Sequence, residues 1–304
     1  MRITIDAAGS DVTQWVGALQ REARGEHIRV FESGKLVGLL GATGLDFALR
    51  GTDVFHASTA TPCTPRRAKL TATVDDLSCW LMPGLYSEAQ VKVSQLFAER
   101  ILDRAAGLIA VSDSVRQDAT RLLGIDPEKI TTVYPGVAAE FFDAKPGHRE
   151  RPYVLYADGS EPRRNLDALK DAWKELEPAL RQKFDLISTR GAKDADLPGL
   201  MAGATLFVHP SLYEGFALPV AQAMAAHVAV VTSTTSSMPE VGRDAAVMVD
   251  PHGPIEIAAG ITRLLESEGE RAKLARYGRA RAEKYRWEKN AAESLAFFHR
   301  VCGK

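Results

Sequence analysis

F-V-H-P-S-L-Y-E-G-F-A-L-P-V-A-Q-A-M-A-A, residues Phe207 to Ala226, runs from strand through loop into helix. A short apolar run ends at His209-Pro210, the loop carries Glu214 and Gly215, and Pro219 stands where the first residue of a helix is expected. Proline is tolerated there because its missing N–H would have no partner anyway. In that geometry the backbone amides of Gly215, Phe216, Ala217 and Leu218 are unpaired and point out of the helix N-terminus. Such an end receives an anion, a phosphate or a diphosphate. Gly215 lets the backbone approach a ligand closely. A carboxylate beside an anion site is unfavourable unless it binds something else. Glu214 therefore either accepts hydrogen bonds from hydroxyls, as on a sugar, or only caps the helix.

Similar apolar, β-branched runs occur at Ile3–Ile5, Ile28–Phe31, Asp53–His56, Lys69–Val74, Leu108–Val111, Ile130–Tyr134, Tyr153–Tyr156, Val228–Thr232 and Ala246–Val249, with Leu206–Val208 inside the quoted stretch. Their hydrophobicity is continuous and not alternating, which suits strands buried on both faces of a parallel sheet. Helical patterns lie between them. Leu166, Leu169, Trp173 and Leu176 share one face, and a helix led by Ser112 and Ser114 stops at Gly124. The alternation predicts an α/β chain with parallel sheets. The stretch Asp143 to Pro152, with two prolines, a glycine and several charges, reads as a linker. Each side holds enough strands for its own doubly wound sheet. Two such sheets facing each other would enclose a central cleft, with ligands at the carboxyl ends of the strands.

A second corner, G-S-E-P-R-R-N at Gly159 to Asn165, follows the run Tyr153–Tyr156 and leads into a helix. Arg163 and Arg164 at such a corner suit diphosphate recognition, because a guanidinium binds phosphate oxygens bidentately. By itself the pair is equally an exposed basic loop.

The 304 residues are 45% hydrophobic and 25% charged, with a formal net charge of −1, so the chain is expected to be globular and not to bind nucleic acid. Cys63, Cys79 and Cys302 are too few and too scattered for a disulfide framework or zinc cluster, and read as free thiols of a reducing cytoplasm. No apolar run reaches the roughly 18 residues of a membrane span, and the start, M-R-I-T-I-D, is not that of a signal peptide. The Lys- and Arg-rich segment from Glu268 to His299 reads first as a solvated helix face and second as a membrane-surface face.

Together E-P-R-R-N, the Phe207–Ala226 stretch and T-S-T-T-S-S-M-P-E-V-G-R-D-A-A at Thr232–Ala246 resemble glycosyltransferase family 4, and most closely its mannosyltransferases. In the first half, T-A-T-V-D-D-L at Thr71–Leu77, L-I-A-V-S at Leu108–Ser112 and K-I-T-T-V-Y-P-G-V at Lys129–Val137 fit the same family. The resemblance implies a GT-B fold. An acceptor-binding Rossmann-like domain would span residues 1–143 and a nucleotide-sugar-binding one residues 152–284, with a helix at 285–304 crossing back to the first. It implies a retaining hexosyltransferase that uses a nucleotide diphosphate-sugar donor, GDP-mannose first and a UDP-sugar second, with a saccharide or lipid-linked saccharide acceptor. Arg164 stands where the family has the lysine of R-K-N, preceded by Arg163, and both would neutralise the diphosphate. The paired glutamates of the family fall at Glu214, implied to touch the donor sugar, and at Gln222, implied to touch the ribose. No metal ion or other cofactor is expected. Localisation is expected in the cytoplasm, with a peripheral contact at the inner face of a membrane as an option.

Four positions depart from the family pattern. Gln222 replaces a glutamate, which costs about 1–2 kcal/mol of ribose binding. Asp75 stands where the family often has a histidine near the transferred sugar, and either takes over a hydroxyl or proton role or caps a turn. The loop after the first strand is reduced to Ala8-Gly9-Ser10, and the stretch from Leu186 to Leu200 is short. These departures keep open a GT-B-like binding or partner subunit that has lost catalysis. A Rossmann oxidoreductase rests only on G-A-T-G at Gly41–Gly44, without the downstream acid such a unit requires. His56, His209, Trp80 and Tyr86 are secondary candidates for ligand contact, and Glu240 is read as structural.

Overall fold

The computed structural model describes residues 1–8, 12–33, 35–58, 61–157 and 161–303, without the side chains of 35–38. Gly9 and Ser10 of the shortened loop, and Gly159 and Ser160 of the second corner, lie outside the described residues. The chain divides into two units, one made of Met1–Gly136 with Trp287–Lys304, the other of Val137–Arg286. The Asp143–Pro152 stretch, read from sequence as a linker, thus falls inside the second unit. Its Gly147 amide donates to Gly199 O at 2.8 Å.

The first unit holds a six-stranded, wholly parallel sheet. Its strands are β1 (Arg2–Asp6), β2 (His27–Phe31), β3 (Val54–Ala57), β4 (Lys69–Val74), β5 (Gly107–Ala110) and β6 (Ile130–Thr132), in the order β2-β1-β3-β4-β5-β6. Ile3, Ile5, Val54 and Ile109 project into a core that also takes Val16 and Leu19 of the helix Thr13–Glu22. That core is completed from the far end of the sequence. The helix Trp287–Cys302 contributes Ala291, Leu295, Phe297 and Phe298, so it has an apolar face that the abundance of Lys and Arg in this region obscured. Polar ties fix its register: Trp15 Nε1 donates to Ser294 Oγ at 3.2 Å and Asn290 Nδ2 to Tyr134 O at 2.8 Å. Gly136 is required here, because a Cβ on it would lie 2.1 Å from the Trp287 ring.

The second unit holds five parallel strands, β7 (Tyr153–Tyr156), β8 (Asp185–Ser188), β9 (Leu206–His209), β10 (Val230–Ser233) and β11 (Val247–Val249), in the order β11-β10-β9-β7-β8. Leu169, Ala172 and Leu176 cover one face together with Ile257, Ile261 and Leu264 of the helix Pro254–Glu266. Among the described residues no further strand intervenes between β8 and β9, only short helices at Asp194–Asp196 and Leu197–Ala202.

Strand order decides where each unit can bind. In the second, the chain leaves β7 to one side for β8 and returns to its other side for β9. In the first, β2 and β3 flank β1 in the same way. At such a switch point the loops leaving the two strands part to opposite faces and open a crevice at their carboxyl ends. The expected α/β architecture of two parallel-sheet Rossmann-like units is what the structure shows. G-A-T-G, by contrast, lies inside the helical segment Lys35–Ala48, which breaks at Gly41 (φ 59°), so it does not follow a strand and makes no dinucleotide-binding turn.

Candidate active site

The two corners marked from sequence leave β7 and β9, the strands flanking the second unit's switch point. The residues Pro162–Arg164 form one turn of 3₁₀-helix, and Asn165 follows in the left-handed conformation at φ 62°. Asn165 Nδ2 donates to Pro210 O at 3.0 Å and to Pro251 O at 2.7 Å, tying this corner to the segments after β9 and β11. Arg163 O accepts from the Leu212 amide at 2.8 Å, and Tyr156 Oη donates to Arg164 O at 3.0 Å. The corners are therefore in direct contact.

After β9 the chain reaches Ala217, again left-handed at φ 56°, and the helix Leu218–Ala225 begins. Pro219 is its second residue, not its first, because the turn is made at Ala217. Val220 and Ala221 donate back to Ala217 O, whereas the amides of Ala217 and Leu218 meet no protein acceptor among the described residues. Gly215 and Phe216 are buried, and the Phe216 ring stands edge-on to Tyr285 with centroids 5.0 Å apart. Gln222 is half-buried on the second turn of the helix. Asn165, Ala217 and Ser236 are all held at positive φ around this point. Such strain, of order 1–3 kcal/mol per residue, persists only where the surroundings over-determine the backbone.

Glu214 is the hub and is only 5% exposed. Its Oε2 accepts from Arg163 Nη1 at 2.7 Å, and its Oε1 from His209 Nε2 at 3.0 Å and Ser211 Oγ at 2.9 Å. Arg164 Nη1 stands 3.7 Å from Oε1. Burial alone would raise the carboxyl's pKa. The His209 hydrogen bond and the nearby charges of His209, Arg164 and Arg163 outweigh it and hold Glu214 well below the usual carboxylate range. Ser236 Oγ and Ser237 Oγ donate to Glu214 O at 2.6 and 2.9 Å, so the backbone is held as firmly as the side chain.

Glu214 does not cap the helix Leu218–Ala225. Two protein donors engage its Oε1 and one its Oε2, which gives it a structural part beside the sugar contact that the resemblance implies. Arg163 is buried, and its guanidinium donates to Glu214, to Tyr213 O at 2.7 Å and to Glu161 Oε2 at 2.7 Å. It acts as an internal strut. Arg164 differs: its side chain is 19% exposed, and it stands only at ion-pair distance from carboxylates, 3.7 Å from Glu214 Oε1 and 3.8 Å from Glu161 Oε2. His209, a secondary candidate for ligand contact, is the last residue of β9 and fully buried with Nε2 on Glu214, and its ring stacks on Phe207 at 5.8 Å. Sequence reading gave no role to Ser211, Ser236 and Ser237. The only local signal for them is the run of small hydroxyl residues after β10, whose side chains satisfy the carbonyls of the neighbouring corner.

Asp75 lies in the other unit, just beyond β4. It lines a cavity there with His56, and does not join the Glu214 cluster within one unit. His56 is buried with Nδ1 3.1 Å from Thr71 Oγ1 and Nε2 3.0 Å from Thr73 Oγ1, and burial lowers its pKa to about 3. Among the described residues no three His, Cys, Asp or Glu side chains are grouped to hold a metal ion, and no helix is long and apolar enough to cross a membrane.

Two parallel-sheet Rossmann-like units, the second with an arginine corner and a helix N-terminus meeting at its switch point, define the GT-B class of glycosyltransferases. Residues 12–141 match the family described as Glycosyltransferase Family 4, and residues 180–281 the family described as Glycosyl transferases group 1. The O-antigen chain mannosyltransferase B of Escherichia coli is 28% identical over 266 residues, which cover 76% of this chain and 70% of that protein. The MMP alpha-(1->4)-mannosyltransferase of Mycolicibacterium hassiacum is 28% identical over 233 residues, covering 68% of this chain and 57% of that one. Among solved structures, sucrose-phosphate synthase of Thermosynechococcus elongatus superposes with a TM-score of 0.76 at 14% identity, covering 100% of this chain and 99% of that one. Anabaena HepE in complex with UDP-glucose superposes with a TM-score of 0.72 at 17% identity, covering 97% and 99%. The two halves of the chain thus each match a glycosyltransferase family model, and the chain has the GT-B fold.

Proposed function

We propose that the chain transfers a hexose from a nucleoside-diphosphate sugar to a saccharide or lipid-linked saccharide acceptor, with retention at the transferred carbon. The observation that carries this reading is that the corner bearing the partly exposed Arg164 and the corner ending in the acceptor-less Ala217 and Leu218 amides touch at one switch point, through Leu212 N–H to Arg163 O. Such donors suit a diphosphate. Mannose as the sugar, and hence GDP-mannose before a UDP-sugar as donor, is supported by two relatives named as mannosyltransferases.

In the proposed reaction the bond from the sugar's anomeric carbon to the diphosphate oxygen breaks, and the acceptor oxygen bonds to the same face of that carbon. The hydroxyl proton passes to the departing phosphate oxygen. The chain's part is positioning and charge stabilisation. Arg164 and the two amides meet the charge that develops on the leaving group. Glu214, whose pKa is held low by His209, Arg164 and Arg163, pairs with Arg163 and steadies the loop after β9. Gln222, one turn into the helix, offers a neutral amide to the ribose.

Thermal-shift titration with GDP, UDP, ADP and their sugars tests donor binding, since a ligand at 100 times its Kd stabilises by about 2.7 kcal/mol. NMR of the product's anomeric proton tests retention. No shift with any nucleotide would favour the partner-subunit reading, and an inverted anomer would overturn the stereochemistry.

A further inference from the structure

His209 ends β9, the middle strand of the second sheet, and is 0% exposed. An imidazole buried in an apolar strand costs free energy unless its polar atoms are engaged. Only one of its nitrogens is. Nε2 stands 3.0 Å from Glu214 Oε1 and 3.1 Å from Ser211 Oγ, whereas Nδ1 is buried and has no hydrogen-bond partner among the described residues. An ionised carboxylate only accepts, so Nε2 carries the proton and donates it to Glu214. The ring lies at 15° to the Phe207 ring, and Thr232 Oγ1 donates to the His209 carbonyl at 2.9 Å, so ring plane and strand end are both held.

The acceptor positions of Glu214 can be counted. A carboxylate has about four, two on each oxygen. Oε1 takes His209 Nε2 and Ser211 Oγ, and Oε2 takes Arg163 Nη1. Among the described residues one position is left, and it is on Oε2. His209 and Ser211 stand two residues apart where β9 passes into its loop, and together they fix the rotation of the carboxylate. Its side chain keeps 7% of its surface exposed, which gives a single ligand hydroxyl a way in.

We propose that His209 is a positioning residue for the donor sugar: with Ser211 Oγ, its Nε2–H saturates Glu214 Oε1 and aims the open acceptor position on Oε2 at a sugar hydroxyl. His209 itself is enclosed by protein and touches no ligand. This deepens the proposed function and rests on its donor reading and on the sugar contact implied for Glu214. Because Nδ1 engages nothing, all the hydrogen bonding of this imidazole runs through Nε2. His209→Gln therefore keeps what matters, an N–H donor the same number of bonds from the backbone. His209→Asn places its donor one bond short, and His209→Leu has none.

The test is calorimetric titration of the full chain with GDP and GDP-mannose, and with UDP and UDP-glucose. For each base, the Kd of the nucleotide divided by that of the sugar nucleotide cancels the contacts they share and reports those of the sugar. For at least one base this ratio should fall about tenfold in His209→Leu, the loss of one well-aimed hydrogen bond to a charged group. It should fall likewise in His209→Asn and return to within about threefold of the wild type in His209→Gln. The Kd of the nucleotide alone should move by less than about threefold in all three. Ser211→Ala removes the other donor to Oε1 and should lower the ratio in the same direction, so the test stands even where His209→Leu does not fold. Three results would overturn the proposal: an unchanged ratio in the variants without the donor, an equal loss of nucleotide and sugar-nucleotide affinity, which marks a residue that only supports the fold, or a folded His209→Gln that fails to restore the ratio. Each of these leaves nucleotide binding by the wild type intact. A wild-type chain that binds no nucleotide brings down the donor reading instead, and the sugar role of His209 with it.

Discussion

Replacing Glu214 with alanine removes a carboxylate and leaves a buried guanidinium, an imidazole and a hydroxyl facing a void. Arg163 would keep Tyr213 O and Glu161, whose side chain is 43% exposed, but would lose its one buried counter-charge. Removing one partner of a buried pair costs about 3–5 kcal/mol. The three hydrogen bonds lost to Oε1 and Oε2, at about 1.5–3 kcal/mol each, would sum to more. They share one acceptor and are not additive, so the lower range applies. For a domain of 150–250 residues each kcal/mol is worth about 2–4 °C, so the second unit's transition should drop by about 6–20 °C in differential scanning calorimetry, with the first unit's unmoved. Diphosphate affinity should fall too, because Arg164 and the Leu218 helix are held together through this residue. Glu214→Gln, which keeps the shape, should fall between. Pairing Arg163→Met with Glu214→Leu should recover part of the loss, since an apolar pair of similar volume avoids desolvating charge. If Glu214→Ala melted within about 2 °C of the wild type and bound nucleotide normally, the hub role would be refuted.

Arg164→Ala should weaken GDP or UDP binding by roughly 10- to 100-fold with little change in melting temperature, and an unchanged Kd by calorimetry would exclude it from the diphosphate grip. Asn165→Ala, losing two carbonyl partners and a residue suited to positive φ, should lower the second unit's stability by about 2 kcal/mol in urea unfolding; a change under about 0.5 kcal/mol would mean the tie to Pro210 and Pro251 is idle. Gly136→Ala should destabilise the first unit by about 1–3 kcal/mol through overpacking on Trp287, and an unshifted calorimetric transition would contradict that contact. His56, with a folded pKa of about 3 against an ordinary 6.5, binds its proton more readily in the unfolded chain, so it withdraws stability from the first unit as pH falls below 6.5. The slope is at most about 1.4 kcal/mol per pH unit. Asp75 works the other way between about 6 and 3.8, its native form holding the proton more tightly. Urea unfolding of the wild type against His56→Asn isolates the histidine: equal slopes between pH 6.5 and 4.5 would show that His56 is not buried neutral.

Ten of the eleven strands were legible because their residues are mostly apolar or β-branched. The missed one, β8, is D-L-I-S at the sheet edge, half-buried throughout and too polar at its ends to stand out. The two corners were legible because Pro, Gly and Arg spacing is a local signal. What the corner side chains do was not. Arg163 and Glu214 are 51 positions apart and meet only through the order of β7 and β9. Their opposite charges look from sequence like two surface groups waiting for a ligand. The helix Lys35–Ala48 escaped because its glycines at 41 and 44 resemble a loop, and the chain does break at Gly41.

The helix Trp287–Cys302 has a consequence for synthesis. A nascent polypeptide ordinarily folds its leading domain first as it leaves the ribosome. Here the leading sheet waits for Phe297 and Phe298 to close its apolar side, whereas Val137–Arg286 is complete in one uninterrupted stretch and emerges earlier. The order of maturation should therefore be inverted, and until translation reaches Cys302 the half-built first sheet is the surface on which a chaperone would act.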